Sequence, residues 1–364
     1  MRIAIIAPLV TAIREPQRGG SQAFLSDLAR GLAGRGNDVH VYAASGSDIP
    51  GVKVIDSRID PESLAATLYR ASASAPPDPA PAQAAFASVY AGVRAARYDL
   101  VHNHAFDAPA ITLAAGLGAP VVHTLHLPPD EGIAAALRRA GQDGAPPAVA
   151  TVSASQARAW RRVARVDAIL PPLVPTALIG WSRTAGVGAV FGGRLSPEKG
   201  AAEAIDIARA AGVPIDVYGD AYDADYAREQ IGPRQGLPGV RVHPGVPRAS
   251  LWTAMARAAV VLYPVRWDEP FGMAAAEAQA CGTPVVAFGR GALGEVIADG
   301  LTGFLVPPGD LEAAARAVAK TAEISRPACR EHAEAHLDLQ ESLDAHEQLY
   351  RRVAGLTSGA QASA

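Results

Sequence analysis

Residues 268–288 read DEPFGMAAAEAQACGTPVVAF, and this stretch shows the alternation that decides the fold. Pro270 favours a helix that begins just after it, because proline disfavours the helical region for the residue before it and suits the first helical position. The break Gly282-Thr-Pro284 then ends the helix, and the apolar run Val285–Phe288 is typical of a buried strand. Helices that alternate with such strands predict a parallel sheet covered on both faces.

Two carboxylates in this stretch, Glu269 and Glu277, are eight residues apart. Eight helical steps of ~100° leave them ~80° out of register, so they do not share one helical face. Pro270 instead places Glu269 on a loop lip and Glu277 inside the following helix. The N–H groups of Phe271–Met273 point out of the helix start, where phosphate binds well, and carboxylates accept hydrogen bonds from sugar hydroxyls. The stretch therefore predicts a nucleotide-sugar site.

Length and composition indicate a globular chain of about two domains. Its 364 residues are 49% hydrophobic and 19% charged, and the net charge of −3 gives no general attraction to nucleic acid or anionic membrane. The two cysteines, Cys281 and Cys329, are too few for a disulfide framework. The N-terminal apolar run is interrupted at Pro8 and is too short for a signal peptide or a membrane span. We expect a cytoplasmic protein.

Short apolar runs form two series of predicted strands, separated by helical patterns. The first series comprises Arg2–Ala7, Asp38–Ala43, Val52–Ile55, Leu100–His102, Val121–Thr124, Ala148–Val152 and Ala168–Leu170. The second comprises Ala189–Gly192, Ile215–Tyr218, Val240–His243, Val260–Tyr263, Val285–Phe288 and Gly303–Val306.

The alternation breaks at the Pro- and Gly-containing segment Pro171–Gly186, which we interpret as an interdomain hinge. We predict two Rossmann-like domains, residues 1–175 and 176–336, that face each other across a deep cleft. Residues 337–364 are predicted to form a C-terminal helix and a flexible tail, and the Ala- and Pro-rich run Ala71–Ala82 a surface loop. Open parallel sheets bind ligands beyond the carboxyl ends of their strands, which places the ligands in the cleft.

Residues Gly193–Gly200 bring two cations to a predicted strand end, Arg194 and Lys199. A diphosphate leaving group gains negative charge as its bond to a sugar breaks, and preorganised cations stabilise that transition state. The chain has three lysines against thirty arginines, so a lysine at this place is informative. The alternative is a turn with an exposed ion pair to Glu198.

Gly19-Gly20 precedes a predicted helix, Ser21–Ala33, and allows the backbone to approach a ligand closely. The alternative is an ordinary flexible loop. The dinucleotide fingerprint G-x-G-x-x-G is absent from the segment between Ala7 and Gly19, which counts against a simple NAD enzyme.

Histidines are concentrated at predicted strand ends: His102, His104, His123 and His126. A spacing of two puts His102 and His104 on one face of a strand, so a metal pair is one reading. We favour a histidine that hydrogen-bonds a sugar hydroxyl, with His126 as the candidate.

Three other patterns have ordinary structural alternatives. Asp223-Ala-Asp225 resembles the acidic motif of metal-dependent sugar transferases but lies in a helical, solvated setting, which we prefer as its explanation. The basic stretch Ser155–Val166 is either a membrane-surface segment or a covering helix, and we favour the helix. Cys281 is read as a packing residue, because no base is near it in sequence.

The segments Gly193–Gly200, Glu269–Glu277, Cys281–Val286 and Gly300–Val306 together resemble the donor-site signature of retaining glycosyltransferases in family four, which have the GT-B fold. The similarity extends over most of the chain, including Gly19-Gly20 and the final helix, which in that fold crosses back to the first domain. The second-domain motifs are the specific ones.

The resemblance implies a role for each matching residue. Arg194 and Lys199 hold the donor diphosphate, Glu269 and the Phe271–Ala274 backbone bind the hexose, and Glu277 binds the ribose. Gly19 and Gly20 approach the phosphates, and His126 meets the sugar near the reaction centre. The implied catalytic set is His126, Arg194, Lys199 and Glu269. The implied donor-binding set is Gly19, Gly20, Arg194, Lys199, Val246, Glu269, Phe271, Gly272, Met273, Ala274 and Glu277.

We therefore expect a retaining hexosyltransferase that uses a nucleoside-diphosphate sugar and no metal or other cofactor. A uridine donor is favoured, because Gly245-Val-Pro-Arg248 offers no carboxylate to read the N–H groups of guanine. The acceptor is a small molecule or a glycan on the first-domain side, and we expect no nucleic-acid partner and at most weak peripheral membrane contact. The alternatives are a nucleotide-sugar epimerase or hydrolase on the same fold, and a non-catalytic nucleotide-sugar-binding module.

Overall fold

The computed structural model describes residues 1–67, 78–142 and 146–356. The contacts within the chain divide it into two compact units. Unit 1 comprises Met1–Arg14, Gln22–Pro171 and Gln340–Ala364, and unit 2 comprises Glu15–Ser21 and Pro172–Leu339. The chain thus changes unit after Pro171 and after Leu339, whereas the sequence put the domain limits at residues 175 and 336.

The strands are β1 (Arg2–Ile6), β2 (Asp38–Ala43), β3 (Lys53–Asp56), β4 (Leu100–Asn103), β5 (Val121–Leu125), β6 (Ala148–Thr151), β7 (Ala168–Ile169), β8 (Ala189–Gly192), β9 (Ile215–Tyr218), β10 (Val240–His243), β11 (Val260–Tyr263), β12 (Val285–Phe288) and β13 (Gly303–Val306).

The α-helices are α1 (Gly20–Gly34), α2 (Ala80–Ala96), α3 (Ala108–Thr112), α4 (Glu131–Ala140), α5 (Ala154–Trp160), α6 (Ala201–Ala210), α7 (Ala224–Tyr226), α8 (Gly232–Gln235), α9 (Arg248–Arg257), α10 (Met273–Ala280), α11 (Leu293–Val296), α12 (Leu311–Lys320), α13 (Arg326–His336) and α14 (Leu339–Val353). Short 3-10 helices cover Pro61–Thr67, Leu113–Gly116, Thr176–Leu178, Pro197–Lys199 and Thr321–Glu323, and a π-helix covers Ala227–Ile231.

Unit 1 contains a seven-stranded parallel sheet in the order β3-β2-β1-β4-β5-β6-β7. Residues Ile3–Ile6 of the interior strand β1 have no exposed surface, as expected for a strand with helices on both faces. The strand order reverses between β1 and β4, whose last residues Ile6 and Asn103 are paired. Ligands of such sheets bind beyond the carboxyl ends of the strands at this reversal, the topological switch point.

Unit 2 repeats the arrangement with six parallel strands in the order β10-β9-β8-β11-β12-β13. Its core packs Phe191 of β8 and Leu262 of β11 against Ile205 of α6. The switch point lies between β8 and β11, so the loops that follow these two strands meet there. Two parallel Rossmann-like sheets are confirmed.

The predicted hinge segment is shorter than expected, because most of it is fixed to unit 2. Buried Arg330 of α13 donates to the carbonyl oxygens of Thr176 (2.9 Å) and Ile179 (2.8 Å). Buried Arg326 donates to the carbonyl oxygen of Ser182 at 2.9 Å. Residues 176–182 are therefore held by charged donors and do not form a free linker.

The final helix, α14, belongs to unit 1 and covers part of that unit's core. Its Leu343 lies so close to α1 that a Cβ atom on Gly31 would be 2.6 Å from Leu343 Cδ1. Ser342 donates from Oγ to the carbonyl oxygen of Pro171 at 2.6 Å, next to the point where the chain leaves unit 1.

Two expectations fall partly outside the described residues. Of the Ala71–Ala82 run only the residues from 78 onward are described, and Ala80–Ala82 begin α2. Of the tail only Gly355 and Leu356 are described. Within the described ranges, no helix has the length and apolar character needed to cross a membrane.

Candidate functional site

The loop after β8 carries Arg194 at the unit 2 switch point. Arg194 donates from Nη2 to Glu198 Oε1 at 3.3 Å, and its guanidinium lies 4.2 Å from the ring centroid of Tyr222. Ser196 Oγ donates to the same Glu198 oxygen at 2.7 Å. Because the Glu198 side chain is only 6% exposed, this is a preorganised arrangement and not the exposed ion pair of the alternative reading.

Lys199 and Glu269 form a buried ion pair, although they are far apart in sequence. Lys199 Nζ donates to Glu269 Oε2 at 2.8 Å, and the two side chains are 15% and 8% exposed. Trp267 donates from Nε1 to the same oxygen at 2.7 Å, and its ring centroid is 4.8 Å from the Lys199 ammonium. Glu269 lies in the loop between β11 and α10, as the sequence predicts, but its side chain is buried and hydrogen-bonded to Lys199 and Trp267.

Gly200 allows the loop after β8 to pack closely against the loop after β11. Its φ is +75°, and a Cβ atom there would lie 2.1 Å from the carbonyl oxygen of Pro264. The N–H of Arg266 donates to the Glu198 carbonyl at 2.9 Å and ties the same two loops together. Only glycine tolerates both the left-handed backbone and this approach, so Gly200 places Lys199 beside Glu269.

A second close approach fixes the backbone of Glu269. Gly291 has φ +60°, and a Cβ atom on it would lie 2.4 Å from the Glu269 nitrogen. The N–H of Ala292 donates to the Glu269 carbonyl at 2.8 Å. The carboxylate is therefore held from its main chain as well as from its side chain.

The helix α10 begins at Met273, two residues later than the sequence suggested. Gly272 precedes it with φ +107°, and a Cβ atom there would lie 2.6 Å from Leu293 Cδ2. Glycine therefore sets the start of the helix. The N–H groups at the start of a helix carry its partial positive charge, and anion binding by Phe271–Ala274 stays a prediction.

Glu277, in α10, is paired with Arg248, which the sequence did not single out as a site residue. Arg248 Nε donates to Glu277 Oε1 at 2.5 Å, and the side chains are 10% and 7% exposed. The Arg248 guanidinium also lies 4.9 Å from the ring centroid of Trp252. An arginine at the first residue of a helix after a proline carries no pattern that assigns it a carboxylate 29 residues away.

Tyr263, the last residue of β11, lies at the centre of these charged groups. Burial raises the pKa of its hydroxyl well above the usual range, and Glu269 and Glu277 raise it further while Arg194 opposes them. The structure thus brings Arg194, Glu269 and Glu277 around one neutral hydroxyl. Arg194, Lys199 and Arg248 each form an ion pair with a carboxylate. Each cation has more N–H donors than its carboxylate accepts from.

The loop containing Val246 follows β10 and carries a carboxylate neighbour from another strand. The N–H of Gly245 donates to Asp220 Oδ1 at 2.8 Å, and a Cβ atom on Gly245 would lie 2.7 Å from Asp220 Oδ2. Val246 is partly buried. Residues Gly245–Arg248 contain no carboxylate of their own, but Asp220, in the loop after β9, supplies one beside them.

Gly20 groups with unit 2 through the segment Glu15–Ser21. A Cβ atom on Gly20 would lie 3.2 Å from Met273 Sδ, so this glycine is next to the start of α10. Glu15 Oε2 accepts from the N–H of Arg248 at 3.0 Å. α1 begins at Gly20 itself, one residue before the predicted start at Ser21.

His126 lies in unit 1, after β5, and its surroundings are histidines. Its Nε2 is 2.9 Å from Nδ1 of His104. His102 lies between Tyr350, whose hydroxyl is 2.6 Å from Nδ1, and Thr124, whose Oγ1 is 2.7 Å from Nε2. Burial lowers the pKa of His126 to about 4, so the ring is neutral at physiological pH.

The geometry of the described residues does not support either metal site considered from the sequence, at His102 and His104 or at Asp223 and Asp225. No group of three or more His, Cys, Asp or Glu side chains within residues 1–67, 78–142 and 146–356 is arranged to hold a metal ion. Asp223 accepts from the N–H of Tyr226 at 2.9 Å as the N-cap of α7, and Asp225 pairs with Arg228 at 2.7 Å. The acidic motif is therefore explained by helix capping and a surface ion pair.

The remaining two patterns also have structural explanations. Trp160 of α5 is 1% exposed and donates from Nε1 to the Leu127 carbonyl at 2.9 Å, which fits a covering helix. Burial raises the pKa of the Cys281 thiol well above its usual range, so Cys281 is a packing residue and not a nucleophile.

Two family models match the chain, one in each half. Residues 18–178 match the family described as Glycosyltransferase Family 4. Residues 188–335 match the family described as Glycosyl transferases group 1, and this range contains all six strands of the unit 2 sheet.

Curated relatives align with this chain, one over most of its length and one over about a quarter of it. A D-inositol 3-phosphate glycosyltransferase from Kribbella flavida is 26% identical over 361 residues, which cover 84% of this chain and 84% of that protein. One from Streptomyces griseus is 43% identical over 98 residues, which cover 26% of this chain and 20% of that protein. In this second alignment the chain spans about a fifth of the relative's length.

Solved structures resemble the chain over nearly its whole length. Sucrose-phosphate synthase from Thermosynechococcus elongatus has a TM-score of 0.79 at 19% identity, covering 98% of this chain and 100% of that one. The Anabaena protein Alr3699/HepE, solved in complex with UDP and glucose, has a TM-score of 0.72 at 20% identity, covering 96% and 99%. At these identities the likeness establishes the fold.

Proposed function

Because this chain belongs to the glycosyltransferases of family four and has the GT-B fold, we propose that it transfers a hexose, with retention, from a UDP-sugar to a small polar acceptor. The observation that carries the proposal is the Lys199–Glu269–Trp267 arrangement at the unit 2 switch point. It combines a permanent cation for phosphate with a carboxylate for sugar hydroxyls, and both are fixed before any substrate binds.

The leaving diphosphate would be stabilised by Arg194, Lys199 and the first turn of α10. Negative charge grows on the diphosphate as the glycosidic bond breaks, so donors fixed in advance stabilise the transition state more than the ground state. Lys199 has three N–H donors and directs one of them to Glu269. The paired carboxylates hold the cations in position and leave donors for the phosphate oxygens.

The two site carboxylates would grip hydroxyl groups on either side of the diphosphate. Glu269 would accept from the hexose, and Glu277 from the ribose. Each carboxylate already accepts one charged hydrogen bond, Glu269 from Lys199 and Glu277 from Arg248, and both have further lone pairs. The cations orient the carboxylates, so a substrate hydroxyl does not have to order them.

Retention would follow from a front-face reaction, in which the leaving phosphate helps to deprotonate the acceptor. A covalent intermediate requires a carboxylate free to attack the anomeric carbon. Glu269 is held by Lys199, Trp267 and its own main chain, which suits binding better than attack. Metal-independent transfer is part of the same proposal, with Arg194, Lys199 and the α10 N-terminus in the role of a cation.

We propose uridine as the base of the donor. Asp220 is a carboxylate beside the loop Gly245–Arg248 that could accept from the N–H groups of guanine instead. Asp220 already accepts from the Gly245 N–H, which commits one of its two oxygens to the loop. The structural neighbour solved with UDP and glucose supports the same choice. For the acceptor, the curated relatives named for D-inositol 3-phosphate make a phosphorylated polyol the first compound to test.

The test is a panel of UDP- and GDP-sugars, each incubated with and without inositol 3-phosphate and simple sugar acceptors. We expect release of nucleoside diphosphate from a UDP-sugar only when an acceptor is present, with an α-linked product from an α-linked donor. Release without acceptor would identify a hydrolase, isomerised nucleotide sugar an epimerase, and binding without turnover a sensor. Any of these three outcomes overturns the proposal.

A further inference from the structure

Four histidines of unit 1 form one cluster, in which His102, His104 and His346 are buried and His126 is partly buried. The ring centroids of His102 and His104 are 3.9 Å apart, and those of His104 and His126 are 5.1 Å apart. Sequence reasoning assigned a role to His126 alone. The contacts show that His126 is hydrogen-bonded to His104, which packs against His102.

His104 is the inner partner of His126. It has no exposed surface, and its Nδ1 is 2.9 Å from His126 Nε2. Its other nitrogen, Nε2, is buried and has no hydrogen-bond partner among the described residues. His126 is partly exposed, and the ring of Phe106 meets it edge-on at 6.3 Å.

Both rings are neutral, so each carries one N–H. Burial, with help from the neighbouring histidines His102, His126 and His346, holds the pKa of His104 well below its usual range. Burial likewise lowers the pKa of His126 to about 4. A hydrogen bond between two neutral imidazoles needs one donor and one acceptor, so only two proton arrangements are open to this pair.

The two arrangements differ in whether the buried Nε2 of His104 carries a proton. If His126 donates from Nε2, the proton of His104 must be on its own Nε2, which leaves a buried N–H without an acceptor. If His104 donates from Nδ1, its Nε2 carries only a lone pair. Buried N–H groups without a partner are rarer than under-used acceptors, so the second arrangement is favoured. The neighbouring His346 shows the same pattern, because its Nδ1 faces the Ser342 carbonyl at 2.6 Å and its Nε2 has no partner.

We propose that His104 is a positioning residue that fixes the tautomer of His126, so that His126 presents an N–H at Nδ1 to an oxygen of the substrate. The ligand group that this donor fits is the oxygen of a sugar hydroxyl or ether, which accepts a hydrogen bond without needing a charge. The inference rests on the proposed function and on the role that the family resemblance implies for His126, which is to meet the sugar near the reaction centre.

The direct test is the protonation state of His126 in the whole protein, measured at neutral pH by two-dimensional NMR of ¹⁵N-histidine-labelled protein, with His126→Phe to assign the signals. We expect a protonated Nδ1 and an unprotonated Nε2 on His126, and the same state on His104. A proton on His126 Nε2 would overturn the inference, whatever reaction the protein catalyses.

The kinetic test compares two substitutions of matched shape, His104→Asn and His104→Leu. Both side chains branch at Cγ, but only the asparagine amide keeps an N–H near the position of Nδ1. Loss of one neutral hydrogen bond predicts about a tenfold fall in kcat/KM for His104→Leu and a smaller fall for His104→Asn. Equal effects would overturn the inference, and thermal unfolding of both variants separates misfolding from mispositioning. If the wild-type protein transfers no sugar, the proposed function fails while the NMR result still decides the tautomer.

Discussion

The two units share one strand order but place opposite kinds of chemistry at their switch points. Unit 2 has three cations that are each paired with a buried carboxylate: Arg194–Glu198 and Lys199–Glu269, in the loops after β8 and β11, and Arg248–Glu277, between the start of α9 and α10. At the carboxyl ends of β4 and β5, unit 1 has histidines: burial lowers the pKa of His123 and His126 to about 4 and holds the pKa of His102 and His104 well below the usual range.

The proposed function accounts for this difference by what each edge would bind. A diphosphate needs cations, and buried cations need partners, so the unit 2 edge is built from ion pairs. A neutral sugar or polyol needs hydrogen bonds without charge, and neutral imidazoles offer both a donor and an acceptor. Under the proposed function, the same backbone plan would carry an anion site in one unit and an uncharged polar site in the other.

The largest expected effect removes a cation from the unit 2 edge. Lys199→Ala takes away a preorganised donor for the leaving diphosphate, and we expect kcat to fall by roughly 10²–10³. Steady-state transfer with the best donor of the panel measures it. Lys320→Ala, which alters an exposed lysine at the end of α12, is the matched control and should retain wild-type activity. Equal activity of the two variants would remove Lys199 from the mechanism.

The second effect tests whether losing one charge of a buried ion pair in unit 2 destabilises the fold more than losing both. Arg248→Met leaves Glu277 buried without its partner, and we expect the free energy of unfolding to fall by about 3–5 kcal/mol. The double variant Arg248→Met with Glu277→Leu removes both charges and should recover most of the loss. Thermal unfolding of the three proteins decides it, and a double variant as unstable as the single one would contradict the pairing.

The third effect belongs to the neutral edge of unit 1. The folded-state pKa of His123, His126 and His346 is about 4, below the unfolded value near 6.5. The unfolded chain therefore binds more protons between these values, so stability is complete above about pH 6.5 and is lost as pH falls towards 4. Each histidine contributes a slope of up to about 1.4 kcal/mol per pH unit.

Thermal unfolding between pH 7.5 and pH 5 measures this slope. His346→Asn, which keeps a donor near Nδ1 but does not titrate, should flatten the pH dependence. A stability that does not change between pH 6.5 and pH 5 would show that these histidines are not held neutral.

The smallest effect concerns Asp223-Ala-Asp225, outside both edges. Loss of the N-cap in Asp223→Ala should lower the free energy of unfolding by about 1 kcal/mol and leave transfer unchanged. Asp225→Asn should change neither quantity, because its ion pair is exposed. Loss of transfer in either variant, or on addition of EDTA, would restore the metal-dependent reading.

The strands were the part of the fold most readable from sequence. All six strands of unit 2 match the predicted ranges to the residue, from Ala189–Gly192 to Gly303–Val306, because short apolar runs between turn signals are the mark of strands buried on both faces. The start of α10 was placed too early. Pro270 suggested it, but the left-handed backbone of Gly272 and the contact with Leu293 decide it.

The sequence was enough to predict which residues belong to the candidate site, but not which side chains they pair with. Arg194, Lys199, Glu269 and Glu277 were all named from local motifs, yet their pairing depends on residues as much as 70 positions apart. Arg248 and Asp220 were missed because each acts through a contact between loops that follow different strands. The His104–His126 contact joins the residues that follow β4 and β5, and periodicity within one strand gives no sign of it.

The most direct test of the account is a crystal structure of the protein with UDP. We predict the diphosphate within hydrogen-bonding distance of Arg194, Lys199 and the first N–H groups of α10, with the ribose at Glu277. A diphosphate bound elsewhere, with Lys199 and Glu269 still paired and out of contact with it, would contradict the central claim.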